Sequence, residues 1–497
     1  MVEERDDSYG HVLKYTGIFG GVQGLNILLG LVRNKLVALL LGPAGMGLAS
    51  LFNTAINFFS QATNLGISFS AVRHVSELFE TGDEERITHF IKVVRAWSLL
   101  AALLGFLVCL VAGPLMNMLS FSWGNHTLHF VMLAPVVAML AITGGETAIL
   151  KGVRRLKSLA LIQVISVFAS LLISIPIYYR WRQTGIVPVI GLMALFNLVV
   201  TCYHSYKLFP LRLSGSHGIL GEGMEMVRLG VAFVMAGIMG SGAEMYIRSY
   251  LNVVGDLDTV GLYNAGYMLI VTYCGTIFSA METDYFPRLS AVCHDVKEAN
   301  LMVNRQIEVS LLLAAPMLAA LIIGLPILIP LLFSNKFLPV IEMAQVAVFS
   351  MYIKSINLPV AYMTLARGDS FAFFILESVY GIALVLLILF GYRYWGLFGT
   401  GVALSVSYII DIIMVCTYAK IRYHFRFSSE VLQYCAIQLP LGIAVYIVTL
   451  TDNVWTYWLL GPLLCFVSFV FSVHVLRQKT SLWKALEAKL KKNKLKK

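Results

Sequence analysis

The chain has 497 residues, of which 58% are hydrophobic and only 13% are charged. Soluble globular proteins carry about 25% charged residues, so this composition excludes an ordinary water-soluble fold. The formal net charge of +10 comes largely from the segment after Arg477, which ends KLKKNKLKK. Such a tail is typical of a cytoplasmic segment at the lipid surface, and we expect no nucleic-acid partner.

Long apolar runs recur along the chain and predict transmembrane helices. A helix of about 20 apolar residues crosses a bilayer core, and lipid satisfies no backbone hydrogen bonds, so runs of this length must be helical. We predict an all-α, polytopic membrane protein with fourteen spans. They cover residues 12–32, 44–68, 94–115, 128–149, 158–179, 185–206, 227–251, 260–284, 308–333, 340–365, 371–392, 397–419, 431–450 and 455–476.

The distribution of Lys and Arg over the predicted connections indicates the orientation. One set of connections contains eighteen Lys and Arg residues as well as the basic tail. The opposite set contains six, at positions 33, 35, 180, 182, 336 and 393. Because Lys and Arg accumulate on the cytoplasmic side, we predict that both termini are cytoplasmic.

Two segments on the same predicted side of the membrane are similar. GPAGMGLASLF (42–52) and GDLDTVGLYNA (255–265) are each followed by an apolar span, an arginine and an acidic connection. Gly47 then matches Gly261 at nearly the same offset as Arg73 matches Arg288. We interpret this as two six-helix lobes in parallel repetition, although two unrelated glycine-containing loops are the alternative. The predicted parts are an N-lobe (1–215), a C-lobe (216–425), two extra spans (426–476) and the tail (477–497).

Polar side chains in the first two spans are candidate cavity residues, because polar groups in lipid are costly. Those at the first span are Gln23, Asn26, Arg33 and Lys35. Those in the second span are Asn53, Asn57, Gln61 and Asn64. The spacing of the second set places it on one helix face, where amides could hydrogen-bond sugar hydroxyls. The alternative role is polar contact between helices.

Charged residues in later spans indicate a site for an anion. Glu244 and Arg248 lie one turn apart in the seventh span and can pair. The planar fork of Arg248 suits phosphate oxygens, and a displaced Glu244 could then take up a proton or cation, so Glu244 is the ion-coupling candidate. Lys354 in the tenth span could contact a phosphate or pair with a carboxylate; Glu377 and Asp411 are further isolated charges. A neutralised structural pair is the alternative for Glu244 and Arg248.

Several function classes lack a sequence signal. The seven cysteines occur singly, which predicts neither a disulfide framework nor a zinc site, and we expect no metal or other cofactor. No Gly-Lys pair occurs, so the chain has no Walker-type nucleotide loop. No predicted loop is long enough for an extramembrane catalytic domain, so we do not expect an enzyme.

Several segments, in their order and spacing, resemble one transporter family. They are LGPAGMGLASLF (41–52), LKGVRR (150–155), DTVGLYNAGY (258–267), LLFSNKF (331–337) and ARGDSFAFFILESVYG (366–381). The chain resembles the polysaccharide transporter branch of the multidrug/oligosaccharidyl-lipid/polysaccharide exporter superfamily, and in particular the O-antigen and enterobacterial common antigen flippases. The resemblance runs over the first twelve predicted spans.

The resemblance implies two six-helix lobes around a cationic cavity, in a bacterial inner membrane, working by alternating access. The implied substrate is an undecaprenyl-pyrophosphate-linked oligosaccharide, moved from the cytoplasmic to the periplasmic leaflet. Arg33, Lys35, Arg248 and Lys354 are the candidates for the cationic role. Membrane lipids, a polysaccharide polymerase and chain-length proteins are the further partners expected of such a flippase.

Three other functions remain open from the sequence. A drug/cation antiporter of the same superfamily needs a cavity carboxylate, but the first span contains no Asp or Glu and the candidate charges are mainly basic. A lipid II flippase shares the architecture and is barely separable by sequence. A membrane-embedded glycosyltransferase or ligase would require a large outer loop with clustered acids or histidines.

Overall fold

The computed structural model describes the backbone of residues 3–120, 126–211 and 219–479. Side chains in these ranges are described from residue 28 onward, except at 69, 156, 219–220, 225–226, 228–233, 236, 277 and 279–284. The regular elements of these ranges are all helical, which confirms the all-α prediction. The α-helices are α1 (Glu3–Thr63), α2 (Ile67–Thr81), α3 (Glu84–Ser120), α4 (Thr127–Gly152), α5 (Leu156–Trp181), α6 (Ile186–Tyr206), α7 (Ile219–Glu222), α8 (Met224–Val254), α9 (Leu257–Tyr267), α10 (Gly275–Val292), α11 (Val296–Leu332), α12 (Val340–Ala366), α13 (Ser370–Tyr423), α14 (Ser429–Thr449) and α15 (Val454–Lys479).

Among the described residues, nine helical stretches are long and apolar enough to cross a membrane. Two of them, Lys157–Tyr206 with 50 residues and Ser370–Tyr423 with 54 residues, each contain two of the predicted spans. The prediction of a polytopic membrane protein is therefore confirmed. The total of fourteen spans stays a prediction, because the predicted seventh and eighth spans (227–251 and 260–284) are not among the nine stretches.

Helix α1 differs from the sequence prediction at the first connection. The helix continues through the connection predicted between residues 33 and 43. Its backbone departs from helical geometry at Gly42, which has φ 68° and ψ −174°. The break lies there because the proline ring of Pro43 disfavours helical geometry at the residue before it, and glycine accepts positive φ. Arg33 and Lys35 consequently lie inside a helix rather than in a loop.

The predicted eighth span (260–284) is also divided. It consists of α9, a π-helical segment over Met268–Tyr273, and α10. Such wide turns occur mostly as short interruptions of α-helices, often at functional positions. The continuous apolar pattern of the span could not indicate this change of helical pitch.

The chain divides into two compact units. Unit 1 comprises Met1–Asn264 and Leu331–Lys336, and unit 2 comprises Ala265–Pro330 and Phe337–Lys497. Unit 1 contains an apolar core on α2, α3 and α4 that includes Ala71, Val93 and Ile149. Unit 2 contains a separate core on α10, α11, α12 and α13 that includes Leu289, Val303 and Val360. The boundary predicted at residue 215 stays a prediction.

Candidate functional site

The amide side chains of α1 form a polar stripe in unit 1. Asn53, Asn57 and Gln61 are all exposed, whereas most residues between them, including Ile56 and Phe59, are buried. The spacing of four residues keeps the three amides on one helix face, as the sequence indicated. This face therefore offers a row of hydrogen-bond donors and acceptors about 2.5 turns long.

Of the three other predicted amides, only Asn64 has a described side chain. Asn64 follows the end of α1, is half-buried, and donates from Nδ2 to Ser68 Oγ. The helix ends at Thr63 because the chain turns into α2 through Gly66, which adopts the left-handed conformation with φ 73°. Asn64 was thus wrongly assigned to the helix face. Gln23 and Asn26 lie outside the residues whose side chains are described.

Helix α8 runs alongside the amide stripe. A Cβ added at Gly237 would lie 3.1 Å from Gln61 Oε1, and one added at Gly242 would lie 3.4 Å from the Phe58 ring. The two glycines therefore allow α8 to approach α1 closely. Because α1 and α8 run in opposite directions here, the later residues of α8 lie beside the earlier residues of the stripe.

Arg248 of α8 lies in a network at the beginning of the stripe. Its Nε donates to Ser50 Oγ at 2.9 Å, and Nη1 donates to Glu244 Oε2 at 3.2 Å. Nη2 donates to Asn264 Oδ1 at 3.4 Å, and Ser50 Oγ donates to the same oxygen at 2.8 Å. The guanidinium also lies 5.8 Å from the centroid of the Tyr263 ring. Arg248 thus connects α1, α8 and α9 through one charged group.

The two members of the predicted ion pair differ in accessibility. The side chain of Arg248 is 5% exposed, and that of Glu244 is 40% exposed. The carboxylate of Glu244 is therefore more accessible to an approaching anion than the guanidinium of Arg248. The pair can therefore act as an anion-binding site in which a phosphate replaces the Glu244 carboxylate as the hydrogen-bond partner of the Arg248 guanidinium.

The other basic candidates occupy different surroundings. Arg33 is half-buried, and its buried Nε has no hydrogen-bond partner among the described residues. It lies within electrostatic reach of the Tyr178 hydroxyl on α5. Lys35 is half-buried and lies two residues closer to Gly42. Neither residue belongs to the Arg248 network described above.

Unit 2 contains its own charged cluster, which includes Lys354. The Lys354 ammonium lies 5.8 Å from the Phe278 ring centroid and within electrostatic reach of Glu377. Asn357, one turn further along α12, donates to Asp411 Oδ2 at 2.6 Å. Glu377 is also within electrostatic reach of Asp411. The three ionisable groups that were isolated in the sequence thus lie together, with two carboxylates for one ammonium.

Sequence reasoning missed three polar residues of these clusters. Ser50 and Asn264 complete the Arg248 network, and Asn357 completes the cluster of unit 2. Ser50 and Asn264 do lie in the two matched segments, three residues after Gly47 and Gly261. That shared position was the available signal. In the described part of the chain, no three His, Cys, Asp or Glu side chains come together as a metal site would require.

Comparisons with known proteins agree with this architecture. The family profile described as polysaccharide biosynthesis protein matches residues 36–342. Lipid III flippase of Escherichia coli (strain K12) is 22% identical over 411 residues, which cover 78% of this chain and 93% of the relative.

Two solved structures share the fold at low sequence identity. An inward-facing multidrug resistance MATE family transporter of the MOP superfamily has a TM-score of 0.68 and 15% identity, covering 80% of this chain and 94% of the other. Lipid II flippase MurJ in an inward closed conformation has a TM-score of 0.67 and 17% identity, covering 93% of this chain and 99% of the other. The transporter fold expected from the sequence is therefore confirmed.

Proposed function

We propose that this chain, which belongs to the polysaccharide biosynthesis protein family, is a flippase for a lipid-linked oligosaccharide. Its substrate would be an undecaprenyl-pyrophosphate-linked repeat unit, such as an O-antigen unit, moved from the cytoplasmic to the periplasmic leaflet of a bacterial inner membrane. The similarity to a lipid III flippase and the fold of a lipid II flippase support this proposal. Both termini would be cytoplasmic, and a polymerase and chain-length proteins would be partners.

The observation that carries the proposal is the combination of two features. One is the buried Arg248, which is paired with the more exposed Glu244. The other is the exposed amide stripe of α1. The amides of Asn53, Asn57 and Gln61 would exchange hydrogen bonds with sugar hydroxyls. Arg248 would bind a pyrophosphate oxygen after Glu244 is displaced, and the freed Glu244 would take up a proton or cation. Arg33, Lys35 and Lys354 would add positive potential, with Gln23, Asn26 and Asn64 as further polar contacts.

A charge-compensating site is necessary because the pyrophosphate loses its hydration in a membrane cavity. A fixed guanidinium replaces part of that hydration without the reorganisation that free solvent requires. The lipid tail can remain in the bilayer while the headgroup passes along the polar face. Alternating access would carry the headgroup from one side of the membrane to the other.

A cation antiporter is the second candidate, and the cluster in unit 2 favours it. Glu377 and Asp411 supply two carboxylates against the single ammonium of Lys354. An uncompensated carboxylate within a membrane attracts a proton or another cation. The basic network around Arg248 and the family membership favour the lipid-linked anion.

Replacing Arg248 tests the flippase proposal. We expect Arg248→Gln to lower the translocation rate of fluorescent undecaprenyl-pyrophosphate oligosaccharide in proteoliposomes about tenfold or more, since hydrogen bonds to charged groups contribute about 1.5–3 kcal/mol. Arg393→Gln is the matched control, because it removes an exposed arginine of α13. Folding is checked by size-exclusion profile and helical circular dichroism. Wild-type translocation by a folded Arg248→Gln variant would refute the role of Arg248.

A further inference from the structure

The two matched sequence segments cross each other within unit 1 in a reciprocal way. A Cβ added at Gly47 would lie 2.1 Å from the carbonyl oxygen of Leu257. A Cβ added at Gly261 would lie 1.9 Å from the carbonyl oxygen of Pro43. Pro43 and Leu257 are 214 positions apart in the sequence, and so are Gly47 and Gly261. Each segment thus presents its glycine to the same backbone position of the other, as two halves of a two-fold contact do.

The hydrogen bond between Ser50 and Asn264, beside this crossing, joins two residues with the same sequence separation. Ser50 Oγ donates to Asn264 Oδ1 at 2.8 Å across 214 positions, which is also the separation of Gly47 from Gly261. The pseudo-two-fold axis therefore passes between Ser50 and Asn264. Arg248 breaks the symmetry there, because one guanidinium donates to both side chains.

The two segments touch at the crossing mainly through the backbone at glycines, and such a contact can open and close. Where two backbones meet at glycines, no side chains interlock, so the segments can separate without rearranging rotamers. Backbone contacts of this kind contribute weak C–H···O interactions. The charged and neutral hydrogen bonds of Arg248, Ser50 and Asn264 are therefore the stronger part of the contact.

We infer that this crossing is a latch at the end of the transport path and that Arg248 holds it closed until a substrate anion engages the arginine. The inference rests on the proposed flippase function and adds the regulation of its site. Four of the five N–H groups of Arg248 donate to Ser50 Oγ, the Glu244 carbonyl and carboxylate oxygens and Asn264 Oδ1, so the guanidinium cannot keep these bonds and also hold a phosphate with two N–H groups. Binding of the pyrophosphate thus removes hydrogen bonds from the latch, and the two glycine-containing segments can then part.

The exposure of Glu244 gives the sequence of events. An anion first replaces the exposed carboxylate of Glu244, whose side chain is 40% accessible. The buried Arg248 then turns towards the phosphate and leaves Ser50 and Asn264 with only their mutual bond. Coupling of substrate binding to opening follows, because the ligand binds more strongly to the state in which Arg248 has left the latch.

A reversible cross-link tests the latch. In the full-length chain with its seven native cysteines replaced, Ala44→Cys and Asp258→Cys are combined and joined by a short thiol cross-linker; the two residues lie on the two crossing segments, line one cavity and leave Ser50, Asn264 and Arg248 intact. A surface cavity lined by Gly42, Pro43, Asp258 and Leu262 adjoins the crossing and gives reagents access. We expect cross-linking to abolish translocation of the lipid-linked oligosaccharide and reduction to restore it.

The control is a cysteine pair that joins two helices expected to move together. Gln438→Cys and Ser468→Cys replace a hydrogen-bonded pair 2.6 Å apart on α14 and α15. Cross-linking of this pair is expected to leave translocation unchanged. Unimpaired translocation by the chain cross-linked at 44 and 258, or failure of that pair to cross-link, would overturn the latch.

A second readout does not depend on transport. Inorganic pyrophosphate at millimolar concentration is expected to slow cross-linking between positions 44 and 258, and Arg248→Gln is expected to remove this effect. A rate of cross-linking that ignores pyrophosphate in the chain with Arg248 would also overturn the inference. Absence of translocation in the uncross-linked wild type would instead count against the flippase function, whatever the cross-linking shows.

Discussion

Two arginine–glutamate pairs of unit 1 differ in burial, and we propose a structural role for one pair and a substrate-binding role for the other. Arg95 and Glu146 form a two-pronged ion pair with distances of 2.8 and 3.2 Å, and their side chains are 9% and 2% exposed. Ser205 donates to the same carboxylate at 2.5 Å. Both charges are thus enclosed, whereas the Glu244 side chain of the Arg248 pair is 40% exposed. Only the second pair can exchange its partner for a ligand without unfolding its surroundings.

Substitution of the two glutamates should separate these roles. We expect Glu146→Ala to lower the free energy of unfolding by about 3–5 kcal/mol, because it leaves the buried Arg95 charge without its partner. Glu244→Ala should lower the free energy of unfolding by less than Glu146→Ala, since the Glu244 side chain is 40% exposed and Arg248 keeps its hydrogen bonds to Ser50 and Asn264. Denaturant unfolding in detergent measures both. Equal losses of stability in the two variants would contradict this distinction.

The sequence identified the Arg248 pair but not the Arg95 pair. Glu244 and Arg248 are four positions apart, so the helical repeat alone predicts their contact. Arg95 and Glu146 are 51 positions apart on different helices. Their contact depends on how α3 packs against α4, and periodicity carries no such information. The same limit explains why Asn357 was not assigned to Asp411, which lies 54 positions later.

At the scale of helices, a long apolar segment changes direction at a glycine, because glycine accepts the positive φ that the turn requires. Helix α13 covers two predicted spans, and its backbone breaks at Gly396, with φ 57°. On either side of the break, a Cβ at Gly391 would lie 2.4 Å from the Gly399 carbonyl oxygen, and one at Gly399 would lie 1.9 Å from the Gly391 carbonyl oxygen. The two halves of α13 therefore approach each other through bare backbone.

Adding a methyl group where Gly391 and Gly399 meet should push the two halves of α13 apart. We expect Gly399→Ala to lower the free energy of unfolding by about 1–3 kcal/mol, the usual cost of overpacking. Gly381→Ala is the matched control on the same helix, because no atom lies within 4 Å of its added Cβ. The control should be neutral or stabilise by up to about 1 kcal/mol, since alanine favours helix. Thermal unfolding of both variants tests this, and a neutral Gly399→Ala would show that the approach is not tight.

The connection to the last two helices illustrates a contact that hydropathy could not indicate. Asn304 Nδ2 donates to the Arg426 carbonyl oxygen at 2.9 Å, and Asn304 Oδ1 accepts from the Ser428 amide at 2.8 Å. One side chain of α11 thus satisfies the extended backbone that leads from α13 into α14. The sequence predicted both C-terminal helices from their apolar runs. It did not predict how their connection is held, because asparagine occurs in many roles.

At the scale of the whole chain, composition and repetition were the informative signals. A low charge content and apolar runs of the correct length predicted the helical membrane fold, because the bilayer imposes both requirements. The similarity around Gly47 and Gly261 anticipated a relation between two parts of the chain, and these positions do contact each other's segments. Hydropathy could not fix the number of spans, since continuous helices such as α1 and α13 contain two apolar runs each. The inner-membrane location and cytoplasmic termini stay predictions.

The most direct test of the proposed function compares two substrates in the same proteoliposomes. One vesicle set contains fluorescent undecaprenyl-pyrophosphate oligosaccharide, and a parallel set contains a cationic dye under an imposed sodium or proton gradient. A flippase with the Arg248 network should move the lipid-linked oligosaccharide between leaflets and should not drive accumulation of the dye. Gradient-driven dye movement without movement of the lipid-linked oligosaccharide would contradict the flippase proposal and establish the cation antiporter instead.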